Sequence, residues 1–102
     1  MRANNRFKNI INYDKPVLVD FYADWCYPCR QIQPILKGLR STLKENIRII
    51  KVNVDKNPLI AKEFNIKNIP TLVLFKSGNI QWSGEGIFPL SDLTNIIKKH
   101  IE

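Results

Sequence analysis

The fold of this chain is decided by residues 17–30, which have the sequence VLVDFYADWCYPCR. Their first part, from Val17 to Tyr22, is rich in β-branched and aromatic residues and follows a proline, a pattern typical of a buried strand. Cys26 and Cys29 come next, three positions apart, where an amphipathic helix begins. The stretch therefore predicts a strand that leads directly into a helix, with a cysteine pair at the junction.

Outward from this junction, hydrophobic periodicity predicts further helices and strands. Apolar residues at helical spacing predict helices over 2–12, 26–43, 57–64 and 91–101, with Ser91 as the N-cap of the last one. Runs of β-branched and apolar residues predict three more strands, over 47–54, 71–76 and 79–83. We expect a kink at Pro34, because a proline removes a backbone donor from the interior of a helix.

The order of these elements predicts the sheet. Strands 17–22 and 47–54 are joined by a helix, so we expect them to be parallel, with a right-handed crossover. Strands 71–76 and 79–83 are joined across Ser77 and Gly78, which favours an antiparallel hairpin. The prediction is an α/β fold with a mixed central sheet, helices on both faces and a working site at the carboxyl ends of the parallel strands.

Length and composition limit the kind of protein. The chain has 102 residues, 44% hydrophobic and 25% charged, which predicts one globular domain spanning residues 1–102. Its 2 cysteines close at most one internal disulfide, which excludes a disulfide-dense secreted scaffold. Because no leader or membrane-spanning segment is visible, we expect a cytoplasmic protein; the alternative is the periplasm, if a leader was removed before residue 1.

The chain is basic, with 16 Lys and Arg residues against 9 Asp and Glu residues and a net charge of +7. Part of this charge lies along the second predicted helix, at Arg30, Lys37, Arg40 and Lys44. We interpret these residues as a solvated helix face; the alternative is a surface that steers an acidic partner. Basic and aromatic residues do not interleave as in a nucleic-acid platform, so no nucleic-acid partner is expected. Nothing indicates an oligomer, and we expect a monomer.

The cysteine pair is the candidate catalytic group. In the first turn of a helix, residues three apart lie on one face, so the sulfurs of Cys26 and Cys29 can meet. Cys26 faces unpaired backbone N–H groups and the positive end of the helix dipole, which favour its thiolate. We therefore expect Cys26 to attack a substrate disulfide. Cys29, one turn inside the helix and more buried, then resolves the mixed disulfide.

Three other interpretations of the pair stay open. A purely structural disulfide is one, although so short a loop constrains the unfolded chain little. A zinc site is another, but zinc needs about four ligands, and the chain adds only His100 at its far end; we predict no metal. The third is a redox-inactive pair on a docking module.

Three stretches resemble the thioredoxin family, and the resemblance extends over nearly the whole chain. Residues 20–30, DFYADWCYPCR, are similar to the family's active-site stretch. Residues 51–55, KVNVD, are similar to its next strand, and residues 68–72, NIPTL, resemble its cis-proline segment. A C-x-x-C pair near a βαβ pattern is itself a known sign of this family.

The resemblance implies a thioredoxin fold and a protein-disulfide reductase whose one redox group is the Cys26–Cys29 disulfide. It implies no bound cofactor, disulfide-containing proteins as substrates, and electrons from NADPH through a thioredoxin reductase. Such a protein serves electron transport and cell redox homeostasis. The competing functions are an extracytoplasmic oxidase, isomerase or dedicated reductant, and a docking subunit that uses the fold as a scaffold.

The resemblance also assigns roles to two charged residues. Asp20 lies in the middle of an apolar strand, where burial raises the pKa of a carboxyl group. In the family such an aspartate accepts the proton of the resolving cysteine; the alternative is a solvent-facing carboxylate. Lys51 matches a family lysine that approaches this aspartate and favours its ionised form. An exposed lysine without such a role is the alternative.

Substrate contacts are predicted around the cysteines. Pro70 matches the family's cis-proline, beside which the Ile69 backbone pairs with an extended substrate; a trans proline that enters a strand is the alternative. Gly86 matches a family glycine whose missing side chain leaves room for a substrate backbone. The other expected contacts lie around Cys26: Trp25, Tyr27 and Pro28. Trp25 could instead be part of the core.

The chain departs from the family pattern in two places. Tyr27 stands where the commonest thioredoxin motif has glycine, and residues between the cysteines alter the redox potential. The direction of electron flow therefore depends on the redox potential that Tyr27 helps to set. Typical thioredoxins also open with an additional strand. Here that strand is missing or rudimentary, so we expect a four-stranded sheet.

Overall fold

The structure is a computed structural model that describes residues 5–101. Five α-helices and four strands follow one another in the order α1, β1, α2, α3, β2, α4, β3, β4, α5. The helices are α1 Asn5–Ile11, α2 Tyr27–Gln31, α3 Gln33–Leu43, α4 Pro58–Glu63 and α5 Leu90–Lys98, with a 3₁₀ helix at Lys44–Asn46. The strands are β1 Val17–Tyr22, β2 Arg48–Asn53, β3 Thr71–Lys76 and β4 Asn79–Glu85.

The sheet has the predicted mixed topology. Its strand order is β2-β1-β3-β4, with β1 parallel to β2 and antiparallel to β3, and β3 antiparallel to β4. Within residues 5–101 the sheet has four strands, which confirms the expectation for this part of the chain. The carboxyl ends of the parallel pair therefore lie at one edge, where β1 leads into α2.

Side chains of β1 alternate between two hydrophobic layers. Val17, Val19 and Phe21 pack with residues of α1 and α4, whereas Leu18 packs with residues of α3 and α5. Helices thus cover both faces of the sheet, as expected for this α/β fold. Asp20 alternates with Val19 and Phe21, so its side chain points to the same face as Leu18, under α2 and α3.

The long second helix divides at Ile32 into α2 and α3. Pro34 has no N–H to donate to the carbonyl four residues earlier, and the residue before a proline is disfavoured in the helical region. The Leu36 N–H donates to the Ile32 carbonyl at 3.0 Å, so the chain turns helical again at once. The helix is thus interrupted two residues before the proline at which the sequence predicts a kink.

Several element boundaries differ from the prediction: β2 spans 48–53 rather than 47–54, and the last helix ends at Lys98 rather than at residue 101. Residues 2–4 of the first predicted helix lie outside the described residues. β4 continues two residues beyond Ser83, because Gly84 and Glu85 pair with Leu72 and Thr71 of β3. Ser91 is not the N-cap of the last helix, since α5 begins at Leu90 after Pro89. In the described part of the chain, no helix is long and apolar enough to span a membrane.

Candidate active site

The two cysteines form a disulfide at the start of α2. Cys26 is the N-cap of the helix, and its Sγ accepts a hydrogen bond from the Cys29 N–H at 3.2 Å. Their Cα atoms are 5.3 Å apart, and both side chains are buried. A sulfur that accepts a backbone N–H at a helix start is placed to carry negative charge once the disulfide is reduced.

The local sequence explains how Cys26 comes to lie at the helix start. β1 ends at Tyr22, and the Cys26 N–H donates to the Ala23 carbonyl at 3.2 Å, which closes a turn between strand and helix. Pro28 lies in the first turn of α2, where its missing N–H is not needed. The strand, the turn and the proline together set the position of the cysteine pair.

Asp20 is fully buried, which removes the alternative of a solvent-facing carboxylate. Its Oδ2 accepts a hydrogen bond from Gln33 Nε2 at 3.0 Å, while its Oδ1 has no partner among the described residues. Burial raises the pKa of Asp20 above its ordinary value, and the Gln33 hydrogen bond and the positive charge of Lys51 oppose that rise. The carboxyl group is thus suited to accept a proton.

Lys51 lies on β2 in register with Asp20 on β1. Its side chain is exposed, and its Nζ lies 4.5 Å from the centroid of the Tyr22 ring. Its charge favours the ionised form of Asp20, as the sequence led us to expect, although the lysine itself stays in contact with solvent. Lys51 and Cys29 both line a surface cavity of about 140 Å³.

Ile69 lies beside the disulfide, and Pro70, the next residue, is joined to Gly86 by a backbone hydrogen bond. The Cys26 Sγ is 3.8 Å from the Ile69 carbonyl oxygen, and the Ile69–Pro70 peptide bond is cis. The Gly86 N–H donates to the Pro70 carbonyl at 2.8 Å. Gly86 has φ of +94°, and a Cβ added there would meet no atom within 4 Å. The backbone therefore requires glycine at this position, and the space beside it is open.

Trp25, Tyr27 and Pro28 form an exposed surface next to the disulfide. Trp25 is 69% exposed and Tyr27 is 64% exposed, so Trp25 is not part of the core. Large aromatic side chains left in solvent at a site are typical of surfaces that contact another molecule. Pro28 is exposed between the cysteines.

The sequence did not single out two residues that the fold brings to the site. Asp55, after β2, accepts a hydrogen bond from Trp25 Nε1 at 2.8 Å and so holds the indole ring. Gln33, at the start of α3, donates to Asp20 and, at 3.2 Å, to the Cys29 carbonyl oxygen. Neither has a sequence signal, since Trp25 and Asp55 are 30 residues apart and Asp20 and Gln33 are 13 residues apart.

The basic residues of the second helix are in solvent. Arg30, Lys37, Arg40 and Lys44 are all exposed. The Arg30 guanidinium donates to the Asp24 carbonyl oxygen at 2.8 Å, which ties the start of α2 to the turn before it. Among residues 5–101, no three His, Cys, Asp or Glu residues come close enough together to hold a metal ion.

Together, the fold and the site define the class: an α/β protein with a disulfide at the amino end of a helix, above a buried carboxylate. The thioredoxin family model matches residues 1–99. A thioredoxin of Porphyra purpurea is 43% identical over 94 residues, covering 92% of this chain and 88% of that protein. Thioredoxin 1 of a Nostoc species is 37% identical over 100 residues, covering 97% of this chain and 94% of that protein.

Solved structures agree with the sequence comparisons. The crystal structure of oxidised mitochondrial thioredoxin 3 from Saccharomyces cerevisiae superimposes with a TM-score of 0.83 at 36% identity, covering 92% of this chain and 87% of that one. The chain belongs to the thioredoxin family, and the family and the Cys26–Cys29 disulfide support a thiol–disulfide oxidoreductase.

Proposed function

We propose that this protein reduces disulfides in other proteins, with Cys26 as the nucleophile and Cys29 as the resolving thiol. The observation that carries the proposal is the asymmetry of the pair. The Cys26 sulfur is the one that accepts a backbone N–H at the start of α2 and lies against the Ile69 carbonyl. Cys29 is one turn further into the helix and is connected through Gln33 to Asp20.

The reaction begins with the reduced pair. The Cys26 thiolate attacks one sulfur of a substrate disulfide, forms a Cys26–substrate disulfide and releases the other substrate sulfur as a thiolate. Cys29 then loses its proton, and its thiolate attacks the Cys26 sulfur. The second substrate sulfur leaves as a thiolate, and both substrate thiolates take up protons. Two electrons pass from the protein dithiol to the substrate, which leaves the Cys26–Cys29 disulfide.

Asp20 is the proposed acceptor for the Cys29 proton. A buried carboxyl group with a raised pKa holds a proton more readily than a surface carboxylate does. Lys51 limits this effect, because its charge favours the ionised form that can take the proton. Burial of Asp20 and the charge of Lys51 thus act in opposite directions on the proton affinity of the carboxylate.

The exposed surface around the disulfide is the proposed substrate site. Trp25 and Tyr27 offer apolar contact area, and the open space beside Gly86 leaves room for a main chain. An extended substrate segment there can pair with the backbone at Ile69. The bound partner is therefore a protein segment that carries a disulfide.

The pair must be reduced again after each turnover by a dithiol donor. By family resemblance, we propose a thioredoxin reductase that uses NADPH. A monomer in the cytoplasm remains the expectation for the protein itself.

An insulin-reduction assay with dithiothreitol tests the proposed reaction. The protein should accelerate the precipitation of the insulin B chain, and Cys26→Ser should abolish the acceleration. Ser77→Ala, at an exposed turn at the opposite end of β3, is the control and should retain activity. Turnover no faster than dithiothreitol alone would show that the chain is a docking module rather than a reductase.

Trapping of mixed disulfides tests the roles of the two cysteines. Cys29→Ser removes the resolving thiol, so substrate should accumulate as a covalent complex on Cys26, visible by intact-protein mass spectrometry. Cys26→Ser should trap none. Accumulation in Cys26→Ser instead would reverse the assignment.

A further inference from the structure

The side chain of Gln33 joins the buried carboxylate to the second cysteine. Its Nε2 donates one hydrogen bond to Asp20 Oδ2 at 3.0 Å and one to the Cys29 carbonyl oxygen at 3.2 Å. A glutamine amide nitrogen carries two N–H donors, and both are used here. Gln33 thus connects β1, which carries the carboxylate, to the backbone of α2.

These two partners fix the orientation of the amide. Both are acceptors when Asp20 is ionised, so turning the amide over would place its oxygen against two other acceptors. The carboxylate is therefore held through Oδ2, while Oδ1 is buried and has no hydrogen-bond partner among residues 5–101. Oδ1 is the oxygen that is left available for a proton.

Gln33 also lies between Asp20 and solvent. Two surface cavities, of about 140 Å³ and about 300 Å³, are both lined by Gln33 and Lys51. The smaller one is also lined by Cys29, whereas Asp20 is fully buried and lines neither. Gln33 therefore borders both cavities and hydrogen-bonds the carboxylate, which has no contact with solvent itself.

We propose that Gln33 is a positioning residue of the disulfide exchange, which holds the Asp20 carboxylate by Oδ2 and leaves Oδ1 to accept the Cys29 proton. This inference rests on the proposed function, in which Cys29 must be deprotonated before it attacks Cys26. In that step the S–H bond of Cys29 breaks, an O–H bond forms at Asp20, and the sulfur keeps the electron pair. Gln33 itself neither gains nor loses a proton.

The effect of Gln33 on the titration of Asp20 must be distinguished from the effects of other groups around the carboxylate. Lys51 on β2 is in register with Asp20, and its charge favours the ionised form. The register partner on β3 is the apolar Leu72. Asp24 and Arg30 line the smaller cavity. These four residues are the same in the wild type and in a variant at position 33. A change in the titration midpoint of the carboxylate between the two proteins is therefore due to the side chain at position 33.

A carbon-13 NMR titration of the Asp20 carboxyl group in the oxidised protein tests the inference. Gln33→Leu keeps most of the side-chain bulk and removes both donors, so the titration midpoint should rise by about one pH unit. Gln33→Lys places an ammonium group near the carboxylate, so the midpoint should fall. The fall in Gln33→Lys tests whether position 33 faces the carboxylate, and the rise in Gln33→Leu reports the loss of the two donors.

Gln31→Leu is the matched control. Gln31 is exposed on α2, and its side chain has no hydrogen bond within the described residues, so this variant should titrate like the wild type. A wild-type midpoint in Gln33→Leu overturns the inference, as does an equal shift in Gln31→Leu. If Gln33→Leu does not fold, Gln33→Met, which also lacks both donors, takes its place.

A kinetic readout connects the titration to the reaction. A mixed disulfide between Cys26 and a small aromatic thiol is prepared, and its closure by Cys29 is followed by stopped flow across pH. The pH profile of closure should move with the Asp20 midpoint, upward in Gln33→Leu. An unchanged profile with normal insulin turnover overturns this inference alone. A wild-type protein that does not turn over insulin overturns the proposed function, whatever the midpoints are.

Discussion

Replacing Asp20 by asparagine should stabilise the oxidised protein at neutral pH and change its stability little in acid. Asp20 is fully buried, and its Oδ1 has no hydrogen-bond partner among the described residues. Asparagine has nearly the same shape and carries no charge. The substitution therefore removes the cost of a buried carboxylate and adds no cavity.

The size of the effect follows from the pKa of Asp20, which burial raises above its ordinary value of 3.8. A group with a raised folded-state pKa contributes stability that is fully present below the unfolded pKa and is lost as pH rises through the folded pKa. Each pH unit by which the folded-state pKa exceeds the unfolded-state pKa corresponds to about 1.4 kcal/mol of stability. We therefore expect Asp20→Asn to be more stable than the wild type at neutral pH, by that amount for each pH unit of the shift.

Urea denaturation across a pH series, from acid to neutral, measures the difference in the free energy of unfolding between Asp20→Asn and the wild type. The gap between Asp20→Asn and the wild type should open as pH rises above 3.8 and become constant above the folded pKa. Asp14→Asn, at an exposed carboxylate before β1, is the control for the removal of one negative charge. A gap that does not depend on pH, or an Asp20→Asn variant less stable than the wild type at neutral pH, would refute the reasoning.

Three further substitutions test the site. Tyr27→Gly should shift the reduction potential, by about 30 mV for each ~1.4 kcal/mol, with little loss of stability because the side chain is exposed; an unchanged potential in a glutathione titration removes Tyr27 from the mechanism. Gly86→Ala should cost about 1–2 kcal/mol in urea denaturation, because the backbone there has positive φ; wild-type stability would contradict this. Trp25→Phe loses the hydrogen bond to Asp55 and should cost less than about 1.5 kcal/mol, and a larger loss would show that the pair holds the turn before α2.

The sequence predicts the strands best where prolines and turns bound them. β1 begins after Pro16, β3 begins after Pro70, and the β3–β4 turn lies at Ser77 and Gly78; the predicted bounds of both β1 and β3 match the structure. The end of β4 was less predictable. Gly84 looks like the end of a strand, but pairing with Leu72 on β3 keeps it in the sheet.

The candidate site could be predicted only in part. Some of its contacts join residues that are close in sequence, whereas others depend on how separate elements pack together. Cys26 and Cys29 are neighbours on one helix turn, so their spacing alone brings them together. The burial of Asp20 also follows from its apolar strand. Gln33 offered no such sign, since a glutamine on an amphipathic helix is typical of a solvated surface. Only the break between α2 and α3 and the packing on β1 bring its amide to the carboxylate.

The reduction potential of the Cys26–Cys29 pair tests most directly whether this protein is a reductant. The oxidised and reduced forms are equilibrated in glutathione buffers of known ratio, quenched in acid and separated by mass. A protein-disulfide reductase should give a value near the reducing end of the family's range, about −270 mV, as for thioredoxin. A value near about −120 mV, that of a strong disulfide oxidant, would contradict the proposed direction of electron flow.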